Sequence, residues 1–314
     1  MSDQADELRR RIEAQRARPP ATAGSPPPPP LPTPALADGG PGRCRSLVLT
    51  SGKGGVGTSN LALNLAIALG GEGRRVVLVD ADLGLANIDL LCGLAPERDL
   101  GDVLAGECSL ASATVAGPGG IRVVPGAHAS RVPGDVLAAA PGRLPAERAR
   151  RAAGADFLRG AAGSGLGPAI LALAAAGDEV LVVTTPEPTA LADAHAAIGR
   201  LRRLPTSPTI RAVVNQAASR REGAATLEAL AASSRQFLGA AVDGLGSVRA
   251  DPCVPLAVRG RRPFATAYPS GPAARDVRRL ARALVARAEP ARPRRRGLVA
   301  GLVARLALAR AAAL

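Results

Sequence analysis

The chain has 314 residues, enough for one large α/β domain plus tails, and carries a formal net charge of +14. Hydrophobic residues make up 47% of it but aromatics only 1%, so any core must be aliphatic. The polar, charged beginning argues against a signal peptide, and no stretch of about 20 uncharged apolar residues is present to span a membrane.

Cys44, Cys92, Cys108 and Cys253 show no C-x-x-C spacing and read as small core residues or bystanders in a reducing cytosol. The positive balance is almost all arginine and reads either as an Arg-for-Lys compositional bias or as a sign of an anionic partner: nucleotide, membrane surface or nucleic acid. Residues 2–17, SDQADELRRRIEAQRA, predict a short helix within a segment 1–18. Ser2 caps it, its acids come early and its arginines late. Its apolar face (Ala5, Leu8, Ile12) is too thin for independent stability, so it is a solvated tail or a docking helix for a partner. Residues 19–44 are rich in Pro, Gly and Ala, including Pro26 to Pro30, and read as a disordered, semi-rigid linker.

Folded structure is expected over 45–288. It begins with SLVLTSGKGGVGTSN, residues 46–60: an apolar run, a glycine-rich loop, and then the helical spacing of LALNLAIALG. Strand, loop and helix in that order form the context of a phosphate-binding loop. Gly52, Gly54, Gly55 and Gly57 let backbone N–H groups curl around an anion, and the helix start adds its own N–H groups and positive dipole end. The pattern G-x-x-x-x-G-K-[ST] is met by Gly52, Gly57 and Ser59, but Thr58 stands where its lysine belongs. The one lysine of the chain, Lys53, lies five positions earlier.

A second apolar run, Val76 to Val79, reads as a buried parallel strand ending in Asp80 and Asp82. Carboxylates at that end of a strand face the ligand side of a parallel sheet, where they hold Mg²⁺ or position water; helix capping and turn use of the same residues is the alternative. A short helix follows at Leu100 to Ala105, capped by Asp99, and a strand and turn at Ile121 to Ala127. Residues 128–154 are irregular, with short helices expected at Val136–Ala140 and Pro145–Ala153. A strand is expected at Asp156–Ala161 despite Arg159 and Gly160, and a helix at Pro168–Ala175. Two strand–turn–helix units come next (179–201 and 210–238). LGSVRADPCVPLAVRGRRPFATAYP reads as loop and short strand, and AARDVRRLARALVARA as an amphipathic helix. Alternating strands and helices predict a doubly wound, mostly parallel sheet with helices on both faces. Residues 289–314 combine the basic run ARPRRR with the nearly uncharged GLVAGLVARLALARAAAL. This fits a peripheral anchor on anionic lipid through residues 292–314, or a last helix docked on the domain.

These motifs together resemble the deviant P-loop ATPases of the MinD/ParA type (a SIMIBI-class P-loop NTPase fold) over residues 45–288. The loop SGKGGVGTSN places Lys53 at the family's extra lysine. RRVVLVDADLGLANIDLL is similar to its second strand and first switch, VVNQA to the strand whose Asn contacts adenine, and LGSVRAD to the stretch near the base. DQADELR at residues 3–9 and RRPFATAYP resemble the FlhG (FleN, YlxH) subgroup of flagellar number regulators. The resemblance implies ATP and Mg²⁺ as cofactors and an ATP-dependent homodimer. It also implies a cytoplasmic protein peripheral on the inner face of the plasma membrane, and a partner GTPase of the FlhF type engaged through residues 3–9. It implies nucleotide binding by Gly52, Lys53, Gly54, Gly55, Val56, Gly57, Thr58, Ser59, Asn215 and Asp251, metal support by Ser59, Asp80 and Asp82, and catalytic roles for Lys53 and Asp82. Two departures stand against ATP hydrolysis: Thr58 replaces the usual loop lysine, and Ala161 falls where the family's strand ends in Asp before its second switch. A non-hydrolysing scaffold and a DNA-associated partitioning or division-site protein are the alternative readings.

Overall fold

The computed structural model describes residues 45–82, 86–127, 157–164, 167–205 and 208–287. The expected N-terminal helix and linker, the helices at Val136–Ala140 and Pro145–Ala153, and the tail 289–314 lie outside the described residues.

The strands are β1 (Arg45–Ser51), β2 (Val76–Asp80), β3 (Val115–Ala116), β4 (Arg122–Val124), β5 (Phe157–Ser164), β6 (Glu179–Thr184), β7 (Thr209–Ala217) and β8 (Asp243–Arg249). They form an eight-stranded sheet in the order β3-β4-β2-β5-β1-β6-β7-β8. Every pairing is parallel except β3 with β4. The helices are α1 (Thr58–Gly71), α2 (Ile88–Cys92), α3 (Leu100–Ala105), α4 (Pro168–Ala176), α5 (Pro188–Arg202), α6 (Arg220–Leu238), α7 (Cys253–Arg259), α8 (Phe264–Ala267) and α9 (Pro272–Ala286). The chain winds from β1 toward β2 on one side and toward β6, β7 and β8 on the other, so β1 stands at the switch point where such sheets bind ligands.

The strands read as unbroken apolar runs because both faces of the sheet are covered. Along β1, Leu47 and Leu49 join the core beneath α1 and α9, while Val48 joins the core on the opposite face. The same alternation recurs in β2, where Val76 and Leu78 face one way and Val77 and Val79 the other, and in β6, where Leu181 and Val183 oppose Val180 and Val182. At the amino ends of the strands, buried Glu179 takes hydrogen bonds from both Arg45 and Arg211, and Arg45 also donates to the Leu284 carbonyl at 3.1 Å. This contact places the last turn of α9 at the foot of β1.

Three expectations need adjustment. The strand anticipated at 156–161 is the central strand β5 and runs on to Ser164, paired on both sides, so register with β1 and β2 overrides its poor local pattern. The stretch after Arg249 contains two helices rather than loop and strand. Asp251 Oδ1 accepts the Cys253 N–H at 2.9 Å at the start of α7, and Pro255 sits in that helix's first turn, where its missing N–H costs nothing. The short helix α2 after Asp82 is a further element beyond the expected ones. Helix α3 matches its expected bounds, with Asp99 and Asp102 forming a reciprocal capping box.

Candidate nucleotide site

The glycine-rich loop connects the end of β1 to α1. Its shape is fixed by contacts that require glycine. At Gly57, φ is +84°, and a Cβ there would lie 2.6 Å from the Asn215 side-chain nitrogen. A Cβ on Gly52 would lie 2.1 Å from the Asp193 carbonyl oxygen, so α5 packs directly on the loop backbone. From the end of β7, Asn215 Nδ2 donates to the Val56 carbonyl at 2.8 Å and Gln216 Nε2 to the Gly55 carbonyl at 3.4 Å. Ser51 Oγ donates to the Lys53 carbonyl at 2.9 Å. The loop's carbonyls are thus drawn outward. The first helical hydrogen bond of α1 runs from the Leu61 N–H to the Gly57 carbonyl, which leaves the N–H groups of Thr58, Ser59 and Asn60 at the open helix end. Thr58 is buried, Ser59 half-buried.

Lys53 sits on the loop with its ammonium bound to Glu187 Oε2 and Thr189 Oγ1, each at 2.9 Å. Both partners belong to the start of α5, and their role escapes the sequence reading. The signal available for it is the segment PEPT directly after a strand that ends beside the loop strand.

Across β1 lies the acidic side. Asp80 ends β2 with its carboxylate fully buried. Its Oδ1 accepts the Asp82 N–H at 3.2 Å, and its Oδ2 accepts the N–H groups of Asn87 and Ile88 at 3.0 and 3.1 Å. Burial pushes the Asp80 carboxyl up to about 6, against the lowering effect of those three N–H groups, with Asp82 adding a smaller upward push. Asp80 therefore ties the start of α2 to the end of β2, while Asp82 is half-buried just after that strand. In the ladder, Ala161 of β5 stands level with Asp80 on one side and Leu49 on the other. The position flanking Asp80 on the central strand is thus an alanine, and β5 carries no acidic residue.

The two residues expected near a base are placed differently. Asn215 stands on β7, its amide against the loop as described. Asp251 follows the edge strand β8, where Oδ1 accepts the Cys253 N–H and Oδ2 the Ala273 N–H at 3.1 Å, joining the starts of α7 and α9. Cys92 is half-buried behind the acidic side, and burial pushes its thiol up to about 12, consistent with a packing role.

Backbone N–H groups, two hydroxyls and one ammonium on one loop suit a phosphate ester, and Asp80 and Asp82 lie at the same carboxyl edge of the sheet, the side on which a hard cation would sit. No group of three or more His, Cys, Asp or Glu that could hold a metal is present among the described residues. Mg²⁺ keeps several waters and takes phosphate oxygens, so it asks for one or two carboxylates from the protein.

Fold and loop together define a doubly wound nucleotide-binding protein with a deviant phosphate-binding loop. The profile of the CobQ/CobB/MinD/ParA nucleotide binding domain matches residues 47–264, and the chain belongs to this family. It is 36% identical to the antiactivator FleN of Pseudomonas aeruginosa over 248 residues, which are 79% of this chain and 89% of that one. It is 28% identical to the flagellum site-determining protein YlxH of Helicobacter pylori over 79% of this chain and 84% of that one. Among solved structures, the cell division ATPase MinD of Pyrococcus furiosus superposes with a TM-score of 0.63 at 28% identity, over 78% of this chain and 99% of that one. The septum site-determining protein MinD of Pyrococcus horikoshii, solved with Mg-ADP, gives 0.61 at 27% identity, over 76% and 94%.

Proposed function

We propose that the chain is an ATP-dependent dimerising switch of the FlhG kind, controlling flagellar number or placement. The observation that carries this reading is Lys53. The sole lysine stands on the phosphate loop, yet its ammonium is tied to Glu187 and Thr189 of α5. A lysine so placed is available to a neighbouring subunit once that tie is released. In this reading the N–H groups of Gly54, Gly55 and Gly57 and the start of α1 hold phosphate oxygens, and Thr58 and Ser59 line that cradle. Ser59 and Asp82 hold Mg²⁺, with Asp80 setting the position of Asp82 from behind. Asn215 and Asp251 border the base. Bound ATP·Mg²⁺ supplies the negative charge that draws two loops together and, where it is hydrolysed, the step that separates them. Residues 1–18 engage a GTPase of the FlhF type through DQADELR, 19–44 act as spacer, and 292–314 bind the inner face of the plasma membrane. The family relation to FleN and YlxH supports the flagellar assignment over division or partitioning.

The test is nucleotide titration with mass analysis, with and without Mg²⁺. ATP with Mg²⁺ doubles the mass of the wild type but not of Lys53→Ala. Absence of ATP binding at millimolar concentration sinks the proposal. A second reading, a scaffold that binds nucleotide without turning it over, is favoured by Thr58 and by Ala161 beside Asp80. Binding without turnover in the presence of partner and lipid selects it. Steep salt-dependent DNA affinity without lipid binding would instead select a partitioning protein.

A further inference from the structure

The chain has three Phe and one Tyr, and Phe264 is buried in the core. Phe237, at the end of α6, is 68% exposed, an unusual use of a scarce aromatic. Its ring stands edge-on to His195 of α5 with centroids 6.1 Å apart, and His195 Nδ1 is 3.0 Å from Ser233 Oγ. Gly199, one turn further along α5, lies against Leu238. The ring is therefore held in place on the surface by the α5–α6 packing.

The ends of both helices carry exposed arginines. Arg200, Arg202 and Arg203 at the end of α5 and Arg235 on α6 are exposed. Residues 194–205 and 229–242 contain no Asp or Glu; Asp193, Glu228 and Asp243 bound them, the last two exposed. The guanidiniums of these four have no hydrogen bond or ion pair among the described residues. Arg45, Arg211, Arg220, Arg249, Arg279 and Arg282 are each paired with a carboxylate, whereas exposed Arg259, Arg261 and Arg262 are, like these four, without one among the described residues. An aromatic ring among unpaired cations is the composition of a surface that rests on anionic headgroups.

Position adds a second argument. Helices α5 and α6 end at the edge where β7 and β8 begin. The bond from Arg45 to the Leu284 carbonyl shows that α9 ends at that same edge of the sheet, on the opposite face. Arg287, the last described residue, follows α9 at this edge.

We propose that Phe237 and the rim of Arg200, Arg202, Arg203 and Arg235 form a second contact with an anionic lipid surface, made by the folded domain itself. It builds on the membrane reading of residues 292–314 but can be tested apart from it. The experiment is co-sedimentation of the full chain with vesicles of phosphatidylglycerol and phosphatidylcholine, against phosphatidylcholine alone, over a range of salt. Phe237→Ser lowers partitioning about fivefold. Arg200→Gln with Arg203→Gln lowers it about tenfold and flattens the salt dependence. Both variants keep the wild-type melting temperature. Unchanged partitioning in both overturns the proposal. So does a duplex DNA oligomer that displaces the protein while Phe237→Ser loses DNA affinity in step, which would make the patch a nucleic-acid contact. Leu302→Glu with Leu306→Glu separates the two readings. If that pair abolishes all binding and Phe237→Ser changes nothing, the tail alone binds. If binding survives it and is then lost with Phe237→Ser, the patch stands and the tail reading falls.

Discussion

On the loop side of the candidate site, from β1 across β6 to β7, the contacts are made by backbone or hold backbone, apart from those of the Lys53 ammonium. Asn215 and Gln216 grip the loop's carbonyls, Asp193 of α5 packs on Gly52, and Lys53 is tied to α5. On the acidic side, from β1 across β5 to β2, Asp80 is committed to three N–H groups and its neighbour in the ladder is Ala161. The difference separates two tasks. Cradling phosphate needs a backbone shape, which glycines and packing specify redundantly. Moving protons or holding a metal needs individual side chains, and one substitution removes each of them. The loop side departs from the phosphate-loop pattern at Thr58, and the acidic side has an alanine beside Asp80 on the central strand.

The largest effect should come from breaking the loop side. Gly57→Ala adds a Cβ at φ +84° and 2.6 Å from the Asn215 nitrogen, so the loop must move or Asn215 must release Val56. Left-handed strain of about 1–2 kcal/mol and a lost buried hydrogen bond of about 1–3 kcal/mol add up to a loss of nucleotide affinity of roughly a hundredfold or more. Titration with a fluorescent ATP analogue measures it, and affinity within threefold of wild type would mean that the cradle is not the binding site.

Next in size is a pH effect confined to the acidic side. Asp80 is raised from 3.8 to about 6. A carboxyl raised on folding contributes stability that is complete below the unfolded value and lost as pH rises through the folded one. Between pH 4 and about 6 the fold should lose about 3 kcal/mol from this group as pH rises. Asp80→Asn should remove that slope in urea melts across this range, whatever its effect at a single pH. An identical slope in the variant would assign the titration elsewhere.

Much of this division is legible in the sequence. Continuous apolar runs mark β1, β2 and β6 because both faces of the sheet are covered, and Gly52, Gly57 and Ser59 mark the loop by spacing. Strand β5 is not legible locally: Arg159 and Gly160 spoil its pattern, and its place is set by pairing with β1 and β2, a long-range term. Helix α7 is hidden because its start depends on Asp251 accepting the Cys253 N–H, a contact that reads equally as a turn. The grip of Glu187 and Thr189 on Lys53 spans more than 130 residues of chain and leaves no local mark.

Ala161→Asp sharpens the comparison from the other direction. It places a carboxylate level with Asp80 on the central strand. If the acidic side alone limits turnover, phosphate release should rise about tenfold while nucleotide affinity stays near wild type. The new charge also pushes the Asp80 carboxyl further up, so the gain should be larger at pH 8 than at pH 6.5. No gain at either pH would put the limit at Thr58, where Thr58→Lys becomes the informative variant.

The smallest expected effect concerns how the two sides are joined. The Lys53–Glu187 pair is exposed on both members, with the Glu187 side chain 66% accessible, so the pair itself contributes well under 1 kcal/mol to folding. Its consequence lies in where it leaves the ammonium. Glu187→Gln keeps a hydrogen-bonding oxygen and removes the charge, which lowers the cost of releasing Lys53 toward a second subunit. Dimer formation in ATP and Mg²⁺ should then strengthen about threefold, with nucleotide affinity of the monomer unchanged, because Glu187 touches Lys53 but not the loop's backbone. Analytical ultracentrifugation across protein concentration separates the two quantities. A weaker dimer would mean that Glu187 stays with a lysine in the assembled state, whether its own or the partner's, and that the tie is part of the interface.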